Sequence, residues 1–251
     1  SFVKFESVRG TEVNDSILGA AGNNIFYTMR GNDTVNGNGG EDRVDFSVSQ
    51  DFPPTQGIFV ELSAGIATDG LGGNDSLTGI TRITGTQFAD EIYGGAESNR
   101  FNGRGGNDIL DGGLGGDWAE YGSAAASVTV NLTTGTVTDG EGGADTLFSF
   151  ENAIGSGFAD DLTGRAQANS WALLRGGRGN DTLRGFDGQL VGAEFADQTQ
   201  GLTVDLGTGQ VTDSVLGTDT LINIRGAFFF GNFNDTVTGT AADEVFGLSA
   251  G

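Results

Sequence analysis

Residues 85–120 read GTQFADEIY, GGAESNRFN, GRGGNDILD and GGLGGDWAE, four nine-residue units in which Asp90, Asn99, Asp108 and Asp117 fall at one place. Two residues beyond each stands an apolar side chain: Ile92, Phe101, Leu110 and Ala119. The register recurs at Asp15, Asn24, Asp33 and Asp42, followed by Ile17, Phe26, Val35 and Val44. It returns at Asp75, Asp145, Asp160, Asn169, Asp181, Asp219, Asp235 and Asp243, each again with an apolar or aromatic residue at the same offset. A glycine-rich hexapeptide cannot be helix and must turn, and the few residues after it alternate like a short strand. Strand, turn, strand, turn at this spacing predicts an all-β fold, a right-handed parallel β-roll or β-helix solenoid. Each coil buries its inward apolar residue against the coils above and below. No apolar stripe of helical period runs for any useful length.

A longer period contains the short one. IFVELSAGIATDGLGGNDSL from Ile58, VTVNLTTGTVTDGEGGADTL from Val128 and LTVDLGTGQVTDSVLGTDTL from Leu202 align without a gap. We therefore expect one continuous solenoid over residues 1–251, in modules of about 1–57, 58–127, 128–201 and 202–251, and a chain that is a piece of a longer array. The hydrophobic VTVNL-type stretches predict wider β-helical coils between flatter clusters.

Composition narrows the chemistry. The 251 residues hold 34 acids against 12 bases, a formal charge of -22, with 46 glycines and neither cysteine nor histidine. Disulfides, thiolate chemistry, imidazole bases and His/Cys zinc sites are thereby excluded. Such a charge repels nucleic acid and anionic membranes, and no stretch is apolar enough to span a bilayer. It suits cations. Calcium takes six to eight oxygen ligands, more than one carboxylate provides, so backbone carbonyls must supply the rest, and glycine at positive φ turns them inward. The candidate ligands are the side chains of Asp15, Asn24, Asp33, Asp42, Asp75, Asp90, Asn99, Asp108, Asp117, Asp145, Asp160, Asp181 and Asp219. Gly31, Gly40, Gly73, Gly106, Gly112, Gly115, Gly143, Gly176 and Gly179 are the loop glycines that accompany them. One loop is half a site, and its complement lies one full coil along. The expected pairs are Asp15 with Asp33, Asn24 with Asp42, Asp90 with Asp108, Asn99 with Asp117 and, past a three-residue insertion near Ser170 to Leu173, Asp160 with Asp181.

The unit fits GGxGxDxUx, U being a large apolar residue, most closely in GGLGGDWAE and GGRGNDTLR. In this the chain resembles the RTX (repeats-in-toxin) family, whose haemolysin-type calcium-binding nonapeptides form a parallel β-roll. The resemblance implies several bound Ca2+ ions, folding on calcium, type I export and a secreted, extracellular life. The loops around Asp15, Asp90, Asp160 and Asp235 depart from it, with Val13, Phe88, Phe158 and Phe233 inside the turn.

Blander readings stand beside these. Aspartate and asparagine side chains also cap turns without any metal. The GLSAG of residues 247–251 imitates a serine-hydrolase elbow, but no histidine is present to activate it. The acids of the V-D-F, A-E-Y and A-E-F steps recur once per module, as structure does and a single active site does not. We therefore expect no enzyme. Phe228 to Phe230 are expected to fill a wide coil with Phe229 on the opposite face, or to meet a neighbouring chain in a homo-oligomer or fibre. The leading function is a non-catalytic calcium-binding structural module. The alternative is an accessory polysaccharide-binding or adhesive module of an extracellular enzyme.

Overall fold

The computed structural model describes residues 6–47, 53–166, 171–186, 189–196, 199–213, 217–229, 233–240 and 244–247. Asn169, Asp243, Phe230 and the start of the insertion at Ser170 lie outside the described residues. Those described contain strands and turns and no helix. Most strands are three residues long, because each must reach across only one inward side chain before the next turn. That side chain is the one two beyond the acid: Phe26, Val35, Val44, Ile92, Phe101, Leu110, Leu162 and Leu183 are all completely buried.

The chain divides into two compact units, residues 1–119 with 142–150, and residues 120–141 with 151–251. In the first, one sheet runs Ser7–Arg9, Ile25–Tyr27, Arg43–Asp45, Arg82–Thr84, Arg100–Asn102, Trp118–Glu120, its paired neighbours parallel. The other runs Ser16–Leu18, Thr34–Asn36, Asn74–Thr78, Ile66–Thr68, Phe59–Glu61, Glu91–Tyr93, Ile109–Asp111, Thr146–Phe148. The inward residues of the two sheets make the core, where the Phe101 and Phe150 rings meet edge-on at 6.1 Å.

The second unit repeats the plan. Asn152–Ile154, Ala172–Arg175, Val191–Phe195, Gly226–Phe229 and Val245–Gly247 form one side. Thr136–Thr138, Thr129–Asn131, Asp161–Thr163, Thr182–Arg184, Gly217–Ile222, Gln210–Asp213, Thr203–Asp205 and Thr236–Thr238 form the other.

Two expectations are corrected. The hydrophobic stretches do not widen the coil; they make antiparallel excursions. Phe59–Glu61 pairs antiparallel with Ile66–Thr68, which pairs antiparallel with Asn74–Thr78. The outer two of these three carry on the parallel ladders, Val60 opposite Ile92 and Leu77 opposite Val35. The chain thus reaches two strand positions ahead and folds back to fill the gap. Thr203–Asp205, Gln210–Asp213 and Gly217–Ile222 do the same.

The second correction concerns the phenylalanines. Phe229 faces inward, stacked on Phe195 at 5.5 Å, and Phe228 faces outward against Trp171 at 5.3 Å. Glycines set this direction. A β-carbon at Gly192 or Gly247 would stand 2.5 or 2.7 Å from the Phe228 ring, so these positions leave a shelf for it outside the sheet.

Candidate metal centre

Each turn ends in an acid or amide, and the two atoms of that side-chain head have separate tasks. One oxygen ties coil to coil. The Asp15 N–H donates to Asp33 Oδ1 (2.7 Å), Asn24 to Asp42 (2.7 Å), Asp90 to Asp108 (2.9 Å), Asn99 to Asp117 (2.6 Å) and Asp160 to Asp181 (2.9 Å). All five expected pairs are therefore brought together. Asp75, Asp145 and Asp219 join the same ladder, accepting from the N–H groups of Asp33, Asp108 and Asp181. A second ladder, one residue earlier, runs the opposite way. Asn32 N–H donates to Asn14 Oδ1, Asn74 to Asn32, Glu41 to Asn23, Ala144 to Asn107 and Thr218 to Asn180. This explains the asparagine that so often precedes the acid, which sequence reading left unexplained.

The remaining oxygen separates two kinds of loop. In the first kind the loop caps itself. Asp15 Oδ2 accepts from Thr11 N–H and hydroxyl; Asp90 and Asp160 accept with Oδ2 from the N–H of Thr86 and Ser156, whose hydroxyls donate to Oδ1. Asn24 and Asn99 accept from Ala20 and Gly95 in the same way. In the second kind the Oδ2 atoms of Asp33, Asp42 and Asp181 are buried without a hydrogen bond, while the Thr28 hydroxyl bonds the Asp75 carboxylate. A buried carboxylate oxygen left so costs free energy that a cation would return.

Backbone conformation marks the same division in five loops, and departs from it in those ending in Asp75 and Asp145. In residues 28–33, 37–42, 103–108, 112–117 and 176–181 the residue four before the aspartate has φ between 64° and 99°: Met29, Asn38, Arg104, Gly113 and Gly177. Two before it stand Gly31, Gly40, Gly106, Gly115 and Gly179, at φ from 103° to 133°. Val13, Gly22, Phe88, Glu97 and Phe158 hold that place in the self-capped loops, and none has positive φ. Gly73, Gly112, Gly143 and Gly176 also lack the positive φ expected of them. Gly112 and Gly176, five before their aspartates, answer to close approach instead, since a β-carbon there would sit 2.8 and 2.2 Å from Asp117 Oδ2 and Asp181 Oδ2.

Two residues were missed. Asp69 and Asp139 are buried at the start of the LGGND and EGGAD turns. Asp69 Oδ1 accepts from Leu71 and Gly73, while Oδ2 is buried and accepts nothing. The signal for them was the T-D-G shared by residues 68–70 and 138–140.

Burial, the largest influence, pushes Asp75 and Asp181 up to about 7 and Asp90 to about 6, and raises Asp33, Asp42 and Asp160. Among the described residues no three acids are close enough to hold a metal by side chains alone. One carboxylate per loop with backbone carbonyls is an all-oxygen, mixed set that fits calcium, and the chain has no histidine or cysteine for softer metals. Comparison with protein families matches the RTX calcium-binding nonapeptide repeat in four copies, over residues 9–44, 84–119 and 173–189. No curated protein matches the chain.

Proposed function

We propose, from the premise that this chain carries RTX calcium-binding nonapeptide repeats, that it is a non-catalytic structural module of a secreted protein, held in its working fold by calcium. The repeats bind several calcium ions; which residues hold them is our assignment. The orphaned Oδ2 atoms carry the reading. We assign calcium on that ground to the loops ending in Asp33, Asp42 and Asp181, and by their place in the same coil-to-coil ladder to those ending in Asp75, Asp108, Asp117, Asp145 and Asp219. Asp15, Asn24, Asp90, Asn99 and Asp160 we assign as metal-free rungs whose own loops already satisfy them. Sites of this class in extracellular modules bind at about 10⁻⁴–10⁻³ M, so the chain would be unloaded inside a cell and loaded outside it. Far-UV circular dichroism during calcium titration and EGTA reversal tests this; a spectrum indifferent to EGTA would overturn it.

A second reading, an accessory site for an anionic polysaccharide, is favoured by one observation. Arg43, Arg82 and Arg100 stand in register on successive strands, and the Arg100 guanidinium lies 5.4 Å from the Trp118 ring. Retardation on immobilised polyuronate, abolished by Arg100→Ala, is its test.

A further inference from the structure

We propose that Asp69, which precedes its loop and is none of the nonapeptide acids, supplies an added carboxylate ligand to a calcium site shared with Gly31 O of the neighbouring loop, and so ties the antiparallel excursion of residues 59–78 to the neighbouring coil. The proposal rests on the calcium reading above and extends it to a residue outside the matched spans of 9–44 and 84–119.

Asp69 follows the strand Ile66–Thr68, where the chain turns back into the antiparallel strand Asn74–Thr78. Its side chain is fixed: Oδ1 accepts from Leu71 N–H at 2.7 Å and from Gly73 N–H at 2.8 Å. With one oxygen so held, the other has a set direction. It points inside the turn, in a residue only 2% exposed, and meets no donor. Gly73 shows what surrounds it, because a β-carbon there would lie 2.4 Å from Asp69 Oδ2 and 1.7 Å from Gly31 O. The carboxylate oxygen and the carbonyl oxygen are thus within about 4 Å of each other, the spacing of neighbouring oxygens around one ion bound at about 2.3–2.6 Å.

The adjoining coil is fixed beside this turn: the Asp33 N–H donates to Asp75 Oδ1 at 2.9 Å, and Asp33 keeps a buried, unbonded Oδ2. The Asp69 charge acts on both. Side chains alone do not complete a cluster, so the carbonyls are required ligands. The backbone of the turn recurs: Gly70 and Gly72 have φ of 70° and 106°, Gly140 and Gly142 of 72° and 108°, each pair following a buried aspartate. A site that gains this further carboxylate on a fixed frame binds more tightly than one without it, since affinity follows ligand charge and rigidity.

The test is Asp69→Asn in the full chain, because asparagine keeps an Oδ1 for Leu71 and Gly73 while removing the charge. Calcium per chain is counted by equilibrium dialysis, binding phases are resolved by calorimetry, and urea stability is measured in EGTA. We expect wild type to bind one ion more than the variant, the lost ion belonging to the tightest phase, with stability in EGTA unchanged or raised. Equal ion counts and equal phases would overturn the proposal. So would a loss of stability as large in EGTA as in calcium, which would make Asp69 a turn cap. A wild type that binds no calcium would instead defeat the calcium reading itself.

Discussion

Two aspartates of equal burial carry opposite consequences when replaced. Asp42 holds Asn24 N–H with Oδ1 and leaves Oδ2 unbonded, whereas both oxygens of Asp90 accept, from Ile58 N–H, Thr86 N–H and the Thr86 hydroxyl. Asp42→Asn should therefore cost stability only when calcium is present. A site filled at a hundred times its dissociation constant contributes about 2.7 kcal/mol, which is several degrees of melting temperature for a unit of this size. In EGTA the same variant should melt no lower than wild type. Asp90→Ala should lower the melting temperature by the same amount with and without calcium, since what it strands is two backbone N–H groups. Paired melts in calcium and EGTA check both; identical behaviour of the two variants would dissolve the distinction between loop kinds. This distinction was half legible in the sequence. Val13, Phe88 and Phe158 marked the odd loops, but the residue that closes them is the Thr or Ser after the first glycine, Thr11, Thr86 and Ser156. Its hydroxyl looks like any turn residue until the acid is seen beside it.

At the scale of the turn, the glycine two before the acid separates the five regular nonapeptide loops from the self-capped ones. Gly106 has φ of 128°, and a β-carbon on it would lie 2.5 Å from Phe88 O in the coil below. Gly106→Ala should cost more than the roughly 1–2 kcal/mol of a strained backbone alone, because the neighbouring carbonyl is itself held by the stack. Gly22, with open space around it and ordinary φ, is the control. Gly22→Ala should leave the urea midpoint within error while Gly106→Ala moves it down. The glycines of the nonapeptide were legible as a class, though not by role: Gly106 serves conformation and Gly112 close approach, and one-letter spacing does not tell these apart. The excursions were less legible. Alternating V-T-V-N-L and T-V-T segments suit a parallel coil and an antiparallel hairpin equally. The deciding sign was the glycine that closes the four-residue turn, Gly65, Gly135 and Gly209, all at φ 68°, a position hairpins reserve for left-handed backbone.

Over the whole molecule the formal charge of -22 and the buried carboxylates act together. Each calcium removes two charges, so loading also removes the repulsion between copies. We propose association of the loaded chain through the exposed phenylalanines of the self-capped loops, Phe88 and Phe158. Of the Phe228 to Phe230 run, Phe229 is buried and Phe228 lies against Trp171, while Phe230 lies outside the described residues. Light scattering should rise with calcium and fall on chelation, and Phe88→Ser with Phe158→Ser should abolish the rise. A monomer at high calcium and high protein concentration would refute the association and leave calcium-dependent folding untouched.

The pH dependence without calcium follows from the same carboxylates. Unfolded aspartates titrate near 3.9, whereas in the folded chain burial lifts Asp75 and Asp181 to about 7 and Asp90 to about 6. Between those values the folded state holds more protons than the unfolded one, so its stability falls as pH rises. The contribution is complete below about pH 4 and is lost as pH passes through about 7. In EGTA the chain should thus melt higher at pH 5.5 than at pH 8, the reverse of the usual behaviour of salt-bridged carboxylates. Calcium inverts the order, because it competes with those protons for the same oxygens and binds better once they have left. At pH 8 saturating calcium should give the highest melting temperature, and the apparent calcium affinity should drop markedly on going to pH 5.5. Melts at the two pH values, each with and without calcium, make a four-point comparison. An EGTA melt that rises between pH 5.5 and pH 8 would show that the carboxylates have partners in the metal-free state that leave nothing for calcium to satisfy.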